Sequence, residues 1–335
     1  MRLLVTGGAG FVGSVTVDLL LRLGHEVTVV DNLRSGFREN IPEKARFHCV
    51  DLADGPSLES VFASVKPEAV LHFAASCIIP ESIRSPLLYW EQNLNRTQDL
   101  VAVMRKHECM RIVFSSSVAV YGTPRTLPMT EKHPLEPANP YGFSKMCAEA
   151  FLRSLAPSGL SSISLRFFNA VGCSTNARHG QFSTPETRII PRAIHAALGL
   201  VPPLTIFGQD WSTADGTCVR DFVHVQDLAS AHVHALEMLE RDPGARAFNL
   251  GNGRAYSILE VIASVERVVG RAVPHDFGER REGDVGSMVA SAELANRELG
   301  WHPEKTELDE MVASAWRWHQ MGWADLNDRY GSGAT

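Results

Sequence analysis

Short apolar runs alternate with helical-period stretches through the first half of the chain. RLLVT (2–6), EVTVV (26–30), ARFHCV (45–50), AVLHF (69–73), RIVFSS (111–116) and SSISLRF (161–167) have strand length, and several are apolar throughout. That pattern suits a parallel sheet covered on both faces. Between the runs, apolar positions recur at helical spacing over about 11–23, 57–65, 86–106 and 141–155. The alternation predicts an α/β fold on a doubly wound parallel sheet. After Asn169 the rhythm breaks. Gly, Pro, Ser and Thr crowd 172–186, then helical stretches at 189–199, 226–240, 257–270 and 307–320 alternate with short strands at 204–207 and 247–250. A smaller α+β lobe is expected there, over the carboxyl edge of the sheet where such folds bind ligands. The expected division is 1–168 and 169–335, with the chain crossing between the lobes.

Composition changes little in this picture. The chain of 335 residues is 44% hydrophobic and 21% charged, with a formal charge of -6, which gives no reason to expect nucleic acid as a partner. No run reaches the roughly 18 apolar residues of a membrane span, and MRLLVTGG lacks a cleavable apolar leader. Six cysteines (49, 77, 109, 147, 173, 218) are scattered without a CxxC pair, so neither a disulfide framework nor a zinc site is expected, and a reducing cytoplasm is. His224, Asp227, His232 and His234 have a metal-like look, but two histidines two apart on a helix diverge; no metal is expected. The last residues, RYGSGAT, are expected to fray.

TGGAGFVG (6–13) follows the first strand and opens the first helix. Gly7, Gly10 and Gly13 permit a tight turn, close approach of a pyrophosphate, and helix–strand packing, while the helix N-terminus offers free N–H groups. Asp31 ends the second strand 18 residues beyond Gly13, near the ~20 expected for a carboxylate that binds a ribose 2′-hydroxyl. It favours NAD over NADP. Asp51 and Leu52, closing the third strand, are candidate neighbours of the adenine. The first lobe is therefore expected to be a Rossmann domain.

In NPYGFSK (139–145), Tyr141 and Lys145 lie four apart on one helix face. Both groups ordinarily keep their protons to about pH 10. A nearby cation lowers the phenol towards working pH, and the phenolate can then act as a base on an alcohol. FSSS (114–117) ends an inner strand upstream and places serine hydroxyls at the same sheet edge.

This constellation resembles the short-chain dehydrogenase/reductase superfamily in its extended form. HFAA (72–75), FSSSVAVYG (114–122), NPYGFSK (139–145), LRFFNAVG (165–172), IFGQDWSTADGTCVRDFVHVQDLA (206–229) and RREGD (280–284) are together similar to the UDP-galactose 4-epimerase family, in order and over nearly the whole chain. The resemblance implies a bound NAD that takes hydride from C4 of a UDP-hexose while a tyrosine takes the O4 proton. The 4-keto sugar turns about its phosphate link and receives hydride on its other face. It implies Tyr141 as base, Ser117 as hydroxyl partner of O4, and Lys145 on the nicotinamide ribose. Gly7, Gly10, Phe11, Val12, Gly13, Asp31, Asn32, Asp51, Leu52, Phe73, Ala74, Ala75, Asn93, Ser115 and Phe168 are the implied cofactor contacts. Asn169, Arg188, Arg192, Thr205, Ile206, Phe207, Arg220, Arg281, Asp284 and Met288 are the implied substrate contacts. A homodimer through about 86–106 and 141–155 is also implied. Arg220 and Arg281 make independent sense, because a diphosphate needs cationic, fork-shaped donors.

Several readings compete. Nucleotide-sugar 4,6-dehydratases carry an Asp-Glu pair before VYG, where this chain has Val118 and Ala119; epimerisation is favoured over elimination. Cys77 replaces a lysine near the cofactor, and Met288 replaces a tyrosine that restricts N-acetyl groups. Arg188 and Arg192 suit the carboxylate of a UDP-glucuronate, the second reading. A non-catalytic nucleotide-sugar sensor and a net 4-reductase are the others. No GxSxG elbow supports a serine hydrolase.

Overall fold

A computed structural model describes residues 1–183, 186–281 and 283–323; the RYGSGAT segment lies outside them. Seven strands form one parallel sheet: β1 (Arg2–Thr6), β2 (Glu26–Asp31), β3 (Arg46–Cys49), β4 (Ala69–His72), β5 (Arg111–Ser117), β6 (Ser161–Phe167) and β10 (Ala245–Leu250). Their order is β10-β6-β5-β4-β1-β2-β3. The inner strands are buried along nearly their whole length, as their unbroken apolar runs require. The smaller strands are β7 (Asn169–Val171), β8 (Leu204–Phe207), β9 (Val219–His224), β11 (Ala255–Ser257), β12 (His275–Gly278) and β13 (Ser287–Met288).

The helices are α1 (Phe11–Arg22), α2 (Gly55–Val65), α3 (Ile79–Arg84), α4 (Pro86–Tyr89), α5 (Arg96–Lys106), α6 (Pro140–Ser154), α7 (Ile189–Ala197), α8 (Val225–Arg241), α9 (Ile258–Val269) and α10 (Leu308–Trp318). On one face of the sheet, α1 and α8 share a core built on Val17, Leu20, Leu228 and Leu236. On the other, α2, α5 and α6 share a core built on Phe62, Leu100, Met104 and Leu152. A separate core joins α7, α9 and α10 to β8 and β9.

Two expectations need correction. The helix at 226–240 and the strand at 247–250 do not belong to the smaller lobe: α8 packs beside α1, and β10 pairs with β6 as the edge of the large sheet. The chain thus leaves the sheet after β6 and returns to it. The expected single helix 86–106 contains a wide π-turn, Trp90–Asn95, between α4 and α5. Such turns are rare; this one buries Asn93.

The link between the lobes is short. Only Phe168 separates β6 from β7, which pairs with β9, Asn169 opposite Phe222. β13 runs parallel to β9 with Met288 opposite Arg220, and β12 runs parallel to β8 with Gly278 opposite Phe207.

Candidate active site

The glycine loop is built for close approach. Gly7 has φ +72°, a region L side chains avoid, and a Cβ there would come 2.4 Å from the Ala74 nitrogen. A Cβ on Gly13 would come 2.3 Å from the Gly7 carbonyl oxygen, so only glycine lets α1 start this near β1. Gly10 caps α1 with no side chain of its own over the N-terminus, and Phe11 and Val12 form the half-buried first turn. Asp31 accepts from the N–H groups of Ala9 (3.0 Å) and Leu33 (2.8 Å). Burial raises its pKa from the usual carboxylate value, and those two N–H groups oppose the rise. Asn32 is exposed and donates to Asp51 (2.7 Å), so both face one rim while Leu52 enters the core. Phe73, Ala74 and Ala75 are half-buried after β4 and close the loop's far side. A free helix N-terminus, a side-chain-free cradle and a carboxylate at the strand end fit a dinucleotide.

The reaction residues converge where β5 ends and α6 begins. Asn139 caps α6 by accepting from the Gly142 N–H (2.9 Å), and Pro140 occupies the first turn, where its missing N–H costs nothing. A Cβ on Gly142 would lie 2.4 Å from the Ala119 carbonyl oxygen. That contact draws the first turn of α6 against the end of β5 and sets Tyr141 beside the Ser117 hydroxyl, which favours the phenolate. Lys145 is 3% exposed; its ammonium donates to the Ser115 carbonyl (2.8 Å) and lies 4.7 Å from the centre of the Phe114 ring.

The electrostatics are divided. Burial pulls Lys145 down to about 8, opposed by Cys77 and Glu149. Burial raises the half-buried Tyr141 phenol, helped by Cys77 and opposed by Ser117 and then Arg188. The side chains alone therefore hold Tyr141 protonated, and a further cation close to it is what a base at this position needs.

Other expected residues find different employment. Pleating sends adjacent side chains to opposite faces: the Ser115 hydroxyl meets His232 Nε2 (2.9 Å) under α8, while the Ser116 hydroxyl donates to Glu149 on α6. Ser115 thus serves the site through its carbonyl, not its hydroxyl. Asn93, 1% exposed, spends its amide on Ser76 N (2.8 Å), Ser76 O (3.0 Å) and Ser144 Oγ (2.9 Å). It braces the loop after β4 against α6 rather than presenting a free donor. Phe168 is buried with Val118, Val120 and Tyr121, and Met288 packs against that cluster.

On the smaller lobe, strand pairing brings together Thr205 to Phe207, Arg220, Arg281, Asp284 and Met288. Arg220 donates to the carbonyls of Val219 (3.0 Å) and Gly286 (3.2 Å); it has no carboxylate partner among the described residues. Arg281 lies 4.2 Å over Phe207 and donates to Asp284 (3.0 Å). Ile206 is 2% exposed and its side chain belongs to the core, leaving only its backbone for a ligand. Asn169 is exposed and donates to the Asp221 carbonyl (3.1 Å).

Arg188, at the start of α7, reaches Ser183 (3.1 Å) and the Cys77 sulfur (3.5 Å), with the half-buried Glu186 4.0 Å away. Arg192 lies one turn on, and its guanidinium has no ion pair among the described residues.

Sequence reasoning missed two features. Tyr89 is fully buried, takes the Ile78 N–H (2.9 Å), donates to Glu81 (2.7 Å), and meets Tyr141 edge-on at 6.3 Å. Behind β5, Glu149 and Arg166 form a buried pair (2.5 Å), and Arg166 reaches Tyr121 (2.8 Å), which donates to Asn249 (2.7 Å). Nothing local in YWEQN or CAEAF marks either. The histidines have separate partners: His224 with Ser314 (2.9 Å), His232 with Ser115 and the Leu228 carbonyl, His234 with the Leu299 carbonyl. Asp227 accepts from the Lys305 N–H (3.0 Å). Among the described residues, no cluster of three such groups is arranged for a metal.

A glycine-cradled sheet edge joined to a Ser-Tyr-Lys cluster defines a dinucleotide-dependent enzyme of the extended dehydrogenase type. Residues 3–251 match the NAD dependent epimerase/dehydratase family, and the chain belongs to it. Within that family it is 41% identical over 321 residues to the UDP-glucose 4-epimerase of Halalkalibacterium halodurans, covering 96% of each chain. It is 43% identical over 317 residues to the enzyme of that name from Corynebacterium glutamicum, covering 94% of this chain and 95% of the relative. Among solved structures it is similar to the UDP-glucose 4-epimerase of Brucella ovis in complex with NAD (TM-score 0.90, 41% identity, 93% and 96% coverage). It is also similar to that of Stenotrophomonas maltophila with bound NAD and formylated UDP-arabinopyranose (TM-score 0.92, 36% identity, 96% and 98% coverage).

Proposed function

We propose that this protein is a redox-neutral isomerase that interconverts UDP-glucose and UDP-galactose at C4, with NAD as a retained cofactor. The observation that carries the reading is the placing of Tyr141 beside Ser117 at the carboxyl end of β5, with Lys145 fixed behind it, in a chain 41% and 43% identical to two UDP-glucose 4-epimerases over nearly their full length.

Gly7, Gly10, Gly13 and the first turn of α1 hold the pyrophosphate, and Asp31 holds the adenosine ribose. Asn32, Asp51 and Leu52 flank the adenine, and Phe73 to Ala75 with Phe168 border the nicotinamide half. When bound, NAD supplies a reversible hydride acceptor for C4. Tyr141 takes and returns the O4 proton, and Ser117 shares its hydrogen bond with O4 and the phenol. Lys145 keeps a positive charge beside both. Arg220 and Arg281 grip the diphosphate, so a 4-keto sugar can turn over while tethered. Asn169, Thr205, the Ile206 backbone, Phe207, Asp284 and Met288 border the uridine and sugar. Val118 and Ala119 offer no acid–base pair for elimination, so the reaction returns its hydride to the same carbon.

A neutral hexose suits the site better than a uronate. A carboxylate needs an uncommitted guanidinium; Arg188 is already held by Ser183 and Cys77 beside Glu186, which leaves Arg192 alone for a uronate. A sensor would have no use for Ser117, Tyr141 and Lys145 brought to one edge.

The protein acts in the cytoplasm as a homodimer. Six cysteines without a disulfide support the compartment, and no helix among the described residues is long and apolar enough to cross a membrane. Leu87 (80% exposed) on α4 and Phe143 (41%) on α6 support pairing through these neighbouring helices.

The test is a panel of UDP-glucose, UDP-galactose, UDP-glucuronate and UDP-N-acetylglucosamine, with product analysis and absorbance of reduced nicotinamide. The first two should interconvert without NADH accumulating. No turnover of any member by NAD-loaded protein would leave a sensor, and steady NADH consumption a reductase.

A further inference from the structure

The two arginines assigned to the diphosphate sit on segments that a single tryptophan joins. β8 and β12 run in parallel and end side by side at Phe207 and Gly278, where the Gly208 N–H donates to the Gly278 carbonyl (2.9 Å). Both segments then leave the strands as loops. Trp211 lies between them, half-buried, and among the described residues it belongs to none of the apolar cores. Its indole N–H donates to the Phe207 carbonyl (3.2 Å), and its backbone N–H to the Gly216 carbonyl (3.0 Å). The Arg280 guanidinium lies over the ring, 4.0 Å from its centre. The ring also packs on Gly286, where a Cβ would come 2.9 Å from Trp211 Cε3.

Each of these contacts leads to an arginine of the substrate site. Arg280 directly precedes Arg281, whose guanidinium lies over the Phe207 ring. Gly286 lends its carbonyl to Arg220 Nη1 (3.2 Å) and to the Val219 N–H (2.7 Å). Asp210 completes the arrangement: its carboxylate accepts from Arg280 Nε (2.7 Å) and its backbone carbonyl from Arg280 Nη2 (2.6 Å). That ion pair is 43% and 71% exposed, and exposed pairs add little to stability. What it fixes is the division of work between adjacent arginines. Arg280 spends two nitrogens on Asp210, whereas among the described residues Arg281 commits only Nε, to Asp284.

We propose that Trp211, with Arg280 and Asp210, is a positioning clamp for diphosphate binding. It touches no substrate. It orders the two loops so that Arg220 and Arg281 stand ready for the diphosphate, and preorganisation of this kind is read as affinity. The inference rests on Arg220 and Arg281 as the diphosphate donors of the function proposed above.

The experiment titrates the full chain, loaded with NAD, with UDP by calorimetry and assays it with UDP-glucose. Arg280→Met keeps the side-chain stem at an exposed position and removes the guanidinium. UDP affinity should fall about fivefold, the loss that an exposed cation–π contact and an exposed ion pair together supply. KM should rise with it, while kcat stays within about twofold of the wild type. Trp211→Ala should weaken UDP binding about tenfold or more, and Trp211→Tyr, which keeps a ring under Arg280, should recover most of that loss. Arg280→Met keeps the test valid should Trp211→Ala fail to fold. In an Arg281→Ala background, Arg280→Met should cost less than about twofold further, because it acts through Arg281. Unchanged UDP affinity in Arg280→Met, or an equal fall in kcat, would overturn the clamp. So would full additivity with Arg281→Ala, which would make Arg280 a direct contact. A wild type that does not bind UDP would overturn the clamp together with the reading it rests on.

Discussion

The two halves of the site are held in different ways. On the large sheet, the polar groups near the cofactor cradle are satisfied within the chain: Asp31 by two N–H groups, Lys145 by a carbonyl, Asn93 by three atoms, Glu149 by Arg166. On the smaller lobe, Arg220 rests on two carbonyls and Arg281 on a ring face and one half-exposed ion pair. A half whose hydrogen bonds are complete is preorganised and changes little on binding. A half with spare guanidinium donors is complete only when an anion arrives. Lesions in the first should therefore damage chemistry or stability, and lesions in the second should damage affinity.

The largest effect is expected from Tyr141→Phe. Removing a general base costs about 10²- to 10⁴-fold, so kcat should fall by that order while UDP affinity, read by calorimetry, stays put. Arg166→Met should come next, by stability instead of rate. Leaving Glu149 buried and unpaired costs about 3–5 kcal/mol, measurable by denaturant unfolding; an unchanged midpoint would mean the network is not part of the frame. Arg220→Ala should act in the opposite sense, raising KM for UDP-glucose roughly tenfold to a hundredfold, since hydrogen bonds to charged groups are worth about 1.5–3 kcal/mol. Its thermal midpoint should match the wild type. A loss of stability there, without a loss of affinity, would erase the contrast between the halves.

A last test concerns Asp221, a fully buried carboxyl beside Arg220 that takes the N–H groups of Asn252 (2.9 Å) and Gly253 (3.3 Å). Burial pushes it from 3.8 up to about 7. The folded state therefore holds this proton where the unfolded chain has lost it, and the group's contribution to stability falls as pH rises from 3.8 to about 7. Asp221→Asn removes that slope. The difference in thermal midpoint between variant and wild type should shift in the variant's favour as pH rises across the window; a constant difference would refute the assignment.

The same contrast explains what was legible in the sequence. The glycine loop, Asp31 and the Tyr141–Lys145 pair are local patterns whose spacing fixes their geometry, so their placement followed from reading along the chain. The smaller lobe is assembled from distant fragments. β13 has two residues and β12 reads HDFG, too short or too polar to show a period, so the family resemblance was needed to single out Arg220, Arg281 and Asp284. β10 was misplaced because ARAFNL opens on alternating small and charged residues, and an edge strand that returns after a long excursion carries no local sign of its partner. Residue type also did not reveal direction: Ser115, Asn93 and Ile206 were named for ligand contact, and pleating or burial turned their side chains elsewhere. Tyr89 and the Glu149–Arg166 pair were silent, because a buried aromatic and an internal ion pair look like any helix residues until the partners are known.

The central claim is that one hydride leaves C4 and returns to C4 within the site. UDP-galactose carrying deuterium at C4 tests it directly, with the UDP-glucose formed examined by mass spectrometry and NMR. The account predicts that the deuterium remains at C4, with no exchange into solvent and no net NADH. Label lost to water, or moved to another carbon, would contradict it.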